Sequence, residues 1–155
     1  MSGQTTAPTA SALVAGGFAR TGVWVMAESS GFIRLVTKTP VSHEPGVYAF
    51  IVEEDVRYIG SAQRGLHRRF RQYEISKTLM TTHRVRQEIL AVLSSSHEVA
   101  VFTMVPAPMT LDSGLPLDSV VGLEAGLIRA FQPAWNLRGR QSVQLASRRP
   151  VKLAP

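Results

Sequence analysis

Two tyrosines, each close to a glycine, flank an acidic patch: Tyr48 follows Gly46, Tyr58 precedes Gly60, and Glu53, Glu54 and Asp55 lie between them. A phenol has a polar end that needs a partner once buried, so core packing alone does not demand this pair. Further along, Arg69 falls between Leu66 and Tyr73 on the apolar side of a helical pattern, where its planar fork of donors could grip a phosphate or its stem could simply cover the core edge. Glu124 shares a helical face with Val120, Leu127, Ile128 and Phe131. A carboxylate at the edge of an apolar stripe must find a cation, a hydrogen-bond network or a proton. An ion pair with Arg129 would answer that need, and so would Mg²⁺, which is commonly held by a carboxylate or two together with waters and phosphate oxygens. His83 opens a further helix, suited to acid–base work, to donating to a phosphate, or to capping. Asn136, after Pro133 and Trp135, could shape a turn. Hydrolysis of a phosphodiester needs a cation for the phosphoryl oxygens, a group to orient or deprotonate water, and help for the leaving oxygen. Glu124, Arg69, Tyr48, Tyr58 and His83 supply those types.

These residues need elements to position them. Val47 to Val52 and Val56 to Ile59 are rich in β-branched and aromatic residues and joined by a short connection, which predicts adjacent antiparallel strands with the acids at the exposed tip. After Gly60 the period changes: Leu66, Arg69, Phe70 and Tyr73 mark one face of a helix over about 64–74. A second helix is expected over 82–93 with Thr81 or Thr82 as N-cap, a third strand over 98–105, a long Pro- and Gly-rich loop, and a third helix from 117 or 118 to 131. Upstream, Ala12 to Ala15 reads as a short helix, and Val23 to Met26 and Phe32 to Val36 as short strands. The first ten residues are polar and small and are expected to be disordered. The order predicts an α+β fold, a three-stranded antiparallel sheet flanked by helices, with an N-terminal extension that adds short strands. The expected division is an extension over 1–44, a main domain over 45–139 and a basic tail over 140–155.

At 155 residues and 45% hydrophobic content, the chain can bury one domain core. It has no cysteine, which removes disulfides and thiolate chemistry and suits a reducing cytoplasm, the expected location. The start lacks the features of a signal peptide, and no run approaches a membrane span. A formal charge of +6 points to an anionic partner. Between Arg57 and Arg86 the single acid is Glu74, and Arg64, Arg68, Arg71, Lys77, Arg84 and Arg86, with Arg138 and Arg140 in the tail region, are the candidate contacts to a nucleic-acid backbone.

Taken in order, GVY at 46–48, YIG at 58–60, LHRRFRQY at 66–73, His83 and GLEAGLIRAFQPAWN at 122–136 resemble the GIY-YIG endonuclease family over about 45–139. The resemblance implies a metal-dependent nuclease of the same small sheet-and-helix fold, acting on DNA, with RNA as the other nucleic acid left open. On this reading Tyr48 and Tyr58 face the scissile phosphate and Tyr48 positions or deprotonates the attacking water. Arg69 stabilises charge on the phosphate, with Arg68 as its rival for that role. Glu124 holds one Mg²⁺ or Mn²⁺, Asn136 braces the site, and Tyr73 and His83 support it. A non-catalytic nucleic-acid-binding module of the same fold is the alternative. No membrane partner is expected, and a monomer and a homodimer are equally compatible with the sequence.

Overall fold

The seven residues of β3, Gly46–Val52, are all buried, and the rest of the molecule is built outward from this strand. The computed structural model describes residues 8–137. Along the chain run α1 (Ala10–Ala15), β1 (Ala19–Met26), β2 (Ile33–Thr37), β3, β4 (Asp55–Ala62), α2 (Leu66–Ile75), α3 (Met80–Ser94) and β5 (Val99–Met104). A short pair, β6 (Met109–Thr110) and β7 (Pro116–Leu117), leads into α4 (Ser119–Phe131).

The main sheet has five antiparallel strands, not three, in the order β2-β1-β5-β3-β4. The two additional strands come from the N-terminal extension. With β5 paired to β3, the far edge of β5 would be open, and β1 covers it. The end of β2 is then guarded by α2, because the Leu35 N–H donates to the Glu74 carboxylate at 3.1 Å. Thr9 and Ala10, expected within a disordered start, are instead fixed: Thr9 caps α1, the Ala10 N–H donates to the Glu54 carbonyl at 2.9 Å, and the Val56 N–H donates to Pro8 at 2.8 Å.

Helices cover both faces of the sheet. On one face Tyr48, Phe50 and Val52 pack with Tyr58, Trp24 and the inner residues of α2 and α3, including Leu66, Phe70, Tyr73, Val85 and Ile89. On the other, Val47, Ala49 and Ile51 pack with Val56, Ile59, Leu13 of α1, and Val120, Ile128 and Phe131 of α4. The period-two alternation of β3 therefore feeds two cores at once. Val56 and Tyr58, two residues apart, should share a face of β4, yet they lie in different cores. A bulge is the cause: Phe50 pairs with Tyr58 but Ile51 with Val56, so Arg57 is an extra residue in β4. Its carbonyl turns outward and accepts from the Trp135 N–H at 2.8 Å.

Two local expectations are revised. The N-cap of α3 is Leu79, with no side-chain cap, because Thr82 is buried and its hydroxyl is engaged elsewhere. Arg86, expected to meet nucleic acid, is only 2% exposed. It donates to the carbonyls of Tyr73 at 2.8 Å and Ser76 at 2.7 Å, satisfying the C-terminal end of α2. None of the helices among the described residues is long and apolar enough to cross a membrane.

Candidate active site

β4 is the last strand of the sheet, so groups from both covering layers can meet around its open edge. There they line a cleft of about 680 Å³ whose walls include Tyr48 from β3, Tyr58, Gly60 and Ser61 from β4, Arg69 from α2, His83 and Arg84 from α3, Glu124 and Ile128 from α4, and Asn136. Residues far apart in sequence converge because β3 and β4 hold the tyrosines while one helix from each layer brings the arginine and the glutamate.

Tyr48 and Tyr58 point to the same side of the hairpin, their ring centroids 6.2 Å apart. Gly60 is paired directly with Tyr48, and a Cβ built there would fall within the Tyr48 ring. A Cβ at Gly46 would come 2.8 Å from Leu66 and from the Met104 carbonyl oxygen. Both glycines thus accompany the tyrosines for steric reasons. The Tyr48 hydroxyl accepts from Arg69 Nε at 3.1 Å and lies 3.0 Å from the Tyr73 hydroxyl. The Tyr58 hydroxyl makes no hydrogen bond among the described residues and faces the cleft.

Arg69 is held on several sides. Its Nη1 donates to Gln72 at 2.9 Å and to Thr82 at 2.8 Å, its Nη2 donates to Tyr73 at 3.4 Å, and its guanidinium stands 4.6 Å over the Tyr73 ring. Burial alone would lower its pKa, but the surrounding phenols Tyr48 and Tyr73 outweigh that and raise it, so the charge is permanent. Arg68 does not line this cleft. It is exposed and borders a smaller neighbouring hollow with Arg64, Arg69 and Gln72.

Burial pushes the Tyr48 phenol well above its ordinary pKa, the nearby Tyr58 adds to this, and Arg69 and the bond to Tyr73 only partly offset it. Tyr73 is raised too, first by burial and then by Tyr48 and Tyr58. Both are therefore neutral phenols at neutral pH. With Arg69 directed at its oxygen, Tyr48 can take a hydrogen bond from Tyr73 and present its own proton to the cleft.

Glu124 is partly exposed and makes neither a hydrogen bond nor an ion pair among the described residues; the pairing with Arg129 is not formed. No cluster of three or more His, Asp and Glu side chains suited to a metal occurs among those residues. The donor set therefore fits a hard divalent ion only if water and substrate oxygens complete its coordination, as they commonly do for Mg²⁺. Asn136 is part of the cleft wall and braces it: it accepts from the Ile59 N–H and donates to the Ile59 carbonyl, both at 2.9 Å, closing the β4 edge there as a neighbouring strand would.

The remaining candidates divide. Arg84 lines the cleft, and Arg64 and Arg68 stand beside it, whereas Arg71 faces a hollow next to β2 and pairs with Glu74 at 3.4 Å. Lys77 is exposed in the turn between α2 and α3. Arg138 and Arg140 lie outside the described residues. Sequence reasoning missed Thr82 and Gln72, the clamp on Arg69, as well as Met80 and Leu137, exposed apolar residues on the cleft rim. The one available signal was Gln72 lying a helical turn after Arg69.

No protein-family model matches the sequence, and no curated protein matches it. Among solved structures, a mutant of bacteriophage T4 EndoII superposes with a TM-score of 0.65 at 18% identity, covering 84% of this chain and 99% of that one. The restriction endonuclease HPY188I, in complex with product DNA, superposes with a TM-score of 0.52 at 18% identity, over 77% of this chain and 76% of that one. At this level of identity the likeness is one of fold.

Proposed function

We propose that this chain is a divalent-metal-dependent endonuclease of GIY-YIG type that hydrolyses DNA phosphodiester bonds in the β4-edge cleft. One observation carries the reading: an unpaired carboxylate, a clamped arginine, two tyrosines and a histidine from separate elements line a single cleft. Its fold likeness to two endonucleases, one solved with product DNA, agrees with that chemistry.

In this reading the scissile phosphate sits against Arg69. Because Gln72, Thr82 and Tyr73 already fix the guanidinium, little reorganisation is needed as charge builds on the phosphoryl oxygens. Tyr48, neutral and directed by Arg69 and Tyr73, orients the attacking water through its hydroxyl proton; its raised pKa argues against a phenolate base. Tyr58 contributes a second hydroxyl to the phosphate, and His83, exposed at the rim, is the imidazole placed for a supporting role beside the leaving group. Glu124 would hold Mg²⁺ or Mn²⁺, which when bound supplies positive charge at the phosphate and eases ionisation of water. Arg64, Arg68 and Arg84 would follow the backbone on either side, with affinity that weakens as salt is raised.

Plasmid cleavage in Mg²⁺ tests this. Glu124→Gln should lower the cleavage rate by about 10²-fold or more while leaving DNA affinity in metal-free buffer near that of wild type. A wild-type protein that binds duplex, flapped and branched DNA but cuts none of them in Mg²⁺ or Mn²⁺ would favour the non-catalytic binding module instead.

A further inference from the structure

Met80 and Leu137, on the wall of the β4-edge cleft, fit neither a phosphate nor a metal ion. Met80, the first residue of α3, is 85% exposed, and Leu137, directly after Asn136, is 66% exposed. Helix stability does not explain Met80. A helix start favours Ser, Thr, Asp or Asn, whereas α3 has Leu79 at its cap, no side-chain hydrogen bond there, and then Met80 open to solvent. Lone exposed apolar residues are ordinary on any surface, but these come from separate elements and line the same cleft. Both project from backbone that is held in place. Thr82, two residues after Met80, is buried, and its hydroxyl accepts from Arg69 Nη1 at 2.8 Å. Asn136, beside Leu137, is bonded to both backbone groups of Ile59 at 2.9 Å. A phosphate lying against Arg69 therefore has Met80 next to its clamp and Leu137 next to the brace of the adjoining wall.

The chemistry of the wall narrows the occupant. Arg69, Arg84 and His83 stand with Met80 and Leu137, against the single carboxylate of Glu124, so the ligand is anionic over one part and apolar over another. A nucleotide is divided in that way, with a charged phosphate and a base whose flat faces are apolar. In an intact duplex those faces are hidden in the stack, and the grooves present only base edges. Leucine and methionine are among the side chains that enter a base step as wedges, at the cost of unstacking it. That cost is least where a base is already mispaired or unpaired.

We propose that Met80 and Leu137 form an apolar wedge that opens the base step beside the phosphate held at Arg69, which makes duplex DNA carrying a mispaired or unpaired base the preferred substrate. The inference rests on the reading of this cleft as a DNA site and adds its substrate class. The test is DNA affinity in metal-free buffer, for a perfect duplex and for the same duplex with one central mismatch flanked by 2-aminopurine, whose fluorescence rises as it leaves the stack. Wild type is expected to bind the mismatched DNA about 10-fold more tightly than the perfect duplex and to brighten the probe. Met80→Ala/Leu137→Ala is expected to bind both DNAs alike and to leave the probe dim. Its far-ultraviolet circular dichroism should match wild type because both residues are exposed. Should that pair disturb folding, Met80→Gln/Leu137→Gln keeps side-chain length and helix propensity and reads out the same loss. Equal affinity of wild type for the two duplexes overturns the inference. So does a folded double variant that keeps the preference, or one that weakens both DNAs with their ratio intact, since the rim would then touch the sugars of an undistorted duplex. The two readings fail separately: a protein that shows the preference but cuts nothing in Mg²⁺ or Mn²⁺ loses the nuclease reading alone, and one that cuts without the preference loses the wedge alone.

Discussion

At the scale of single residues, the ring of Tyr48 fills the space that a side chain at Gly60 would need. Gly60→Ala forces either the ring or the β3–β4 pairing to move, and should destabilise the protein by about 1–3 kcal/mol in denaturant unfolding, as overpacking of a tight core typically does. An unchanged unfolding midpoint would show that the ring yields freely and that the glycine has no steric purpose. The tyrosines, Arg69 and Glu124 were legible in the sequence because each breaks the pattern of its element: a polar group on a face otherwise apolar. Thr82 and Gln72 were not, since a threonine near a helix start reads as a cap and a glutamine on a basic helix reads as surface. Their partner is a single guanidinium that approaches in space. Arg86 misled in the opposite direction, because nothing in a basic run distinguishes the arginine that turns inward to satisfy carbonyls.

At the scale of elements, the β4 edge beside the cleft is closed at Ile59 by one side chain, while the backbone of Pro8 and Trp135 closes it at Val56 and Arg57. Asn136 takes both backbone groups of Ile59, and Trp135 takes the carbonyl of Arg57. Asn136→Ala leaves a buried N–H and C=O without partners, and a loss of about 1–3 kcal/mol in stability is expected. Because Tyr58 and Gly60 flank Ile59 on the cleft wall, the variant should also lose cleavage rate at a temperature where it remains folded. Full activity in a folded variant would show that the edge holds its shape unaided. The hairpin, α2, α3, β5 and α4 were all readable from periodicity and breakers. The width of the sheet was not: short runs such as Val23 to Met26 carry strand propensity, but which edge they join is decided by the bare side of β5, a property of the assembled sheet.

At the scale of the whole molecule, Tyr48 and Tyr73 are held protonated by the fold. Unfolded chains lose these protons near the ordinary phenol value of 10.0, while the folded protein keeps them to higher pH. Above that value the unfolded state binds fewer protons than the folded state, so stability is full below it and falls as pH rises toward the folded values. In a Tyr58→Phe background, where the absorbance reports Tyr48 and Tyr73, tyrosinate absorbance and near-ultraviolet circular dichroism should change in one coincident alkaline transition. Ionisation of Tyr48 and Tyr73 well before the dichroism is lost would contradict the buried phenol network. The extra residue at Arg57 has a wider implication. Strand geometry counts in twos, so whether the spacing from the hairpin tip is odd or even determines on which side of the sheet the second phenol emerges. Deleting Arg57 would restore simple alternation and leave Tyr58 opposite Phe50 on the Tyr48 side, whereas the present spacing without the bulge would turn Tyr58 toward α4, away from Tyr48; in this molecule, parity carries as much of the design as residue identity.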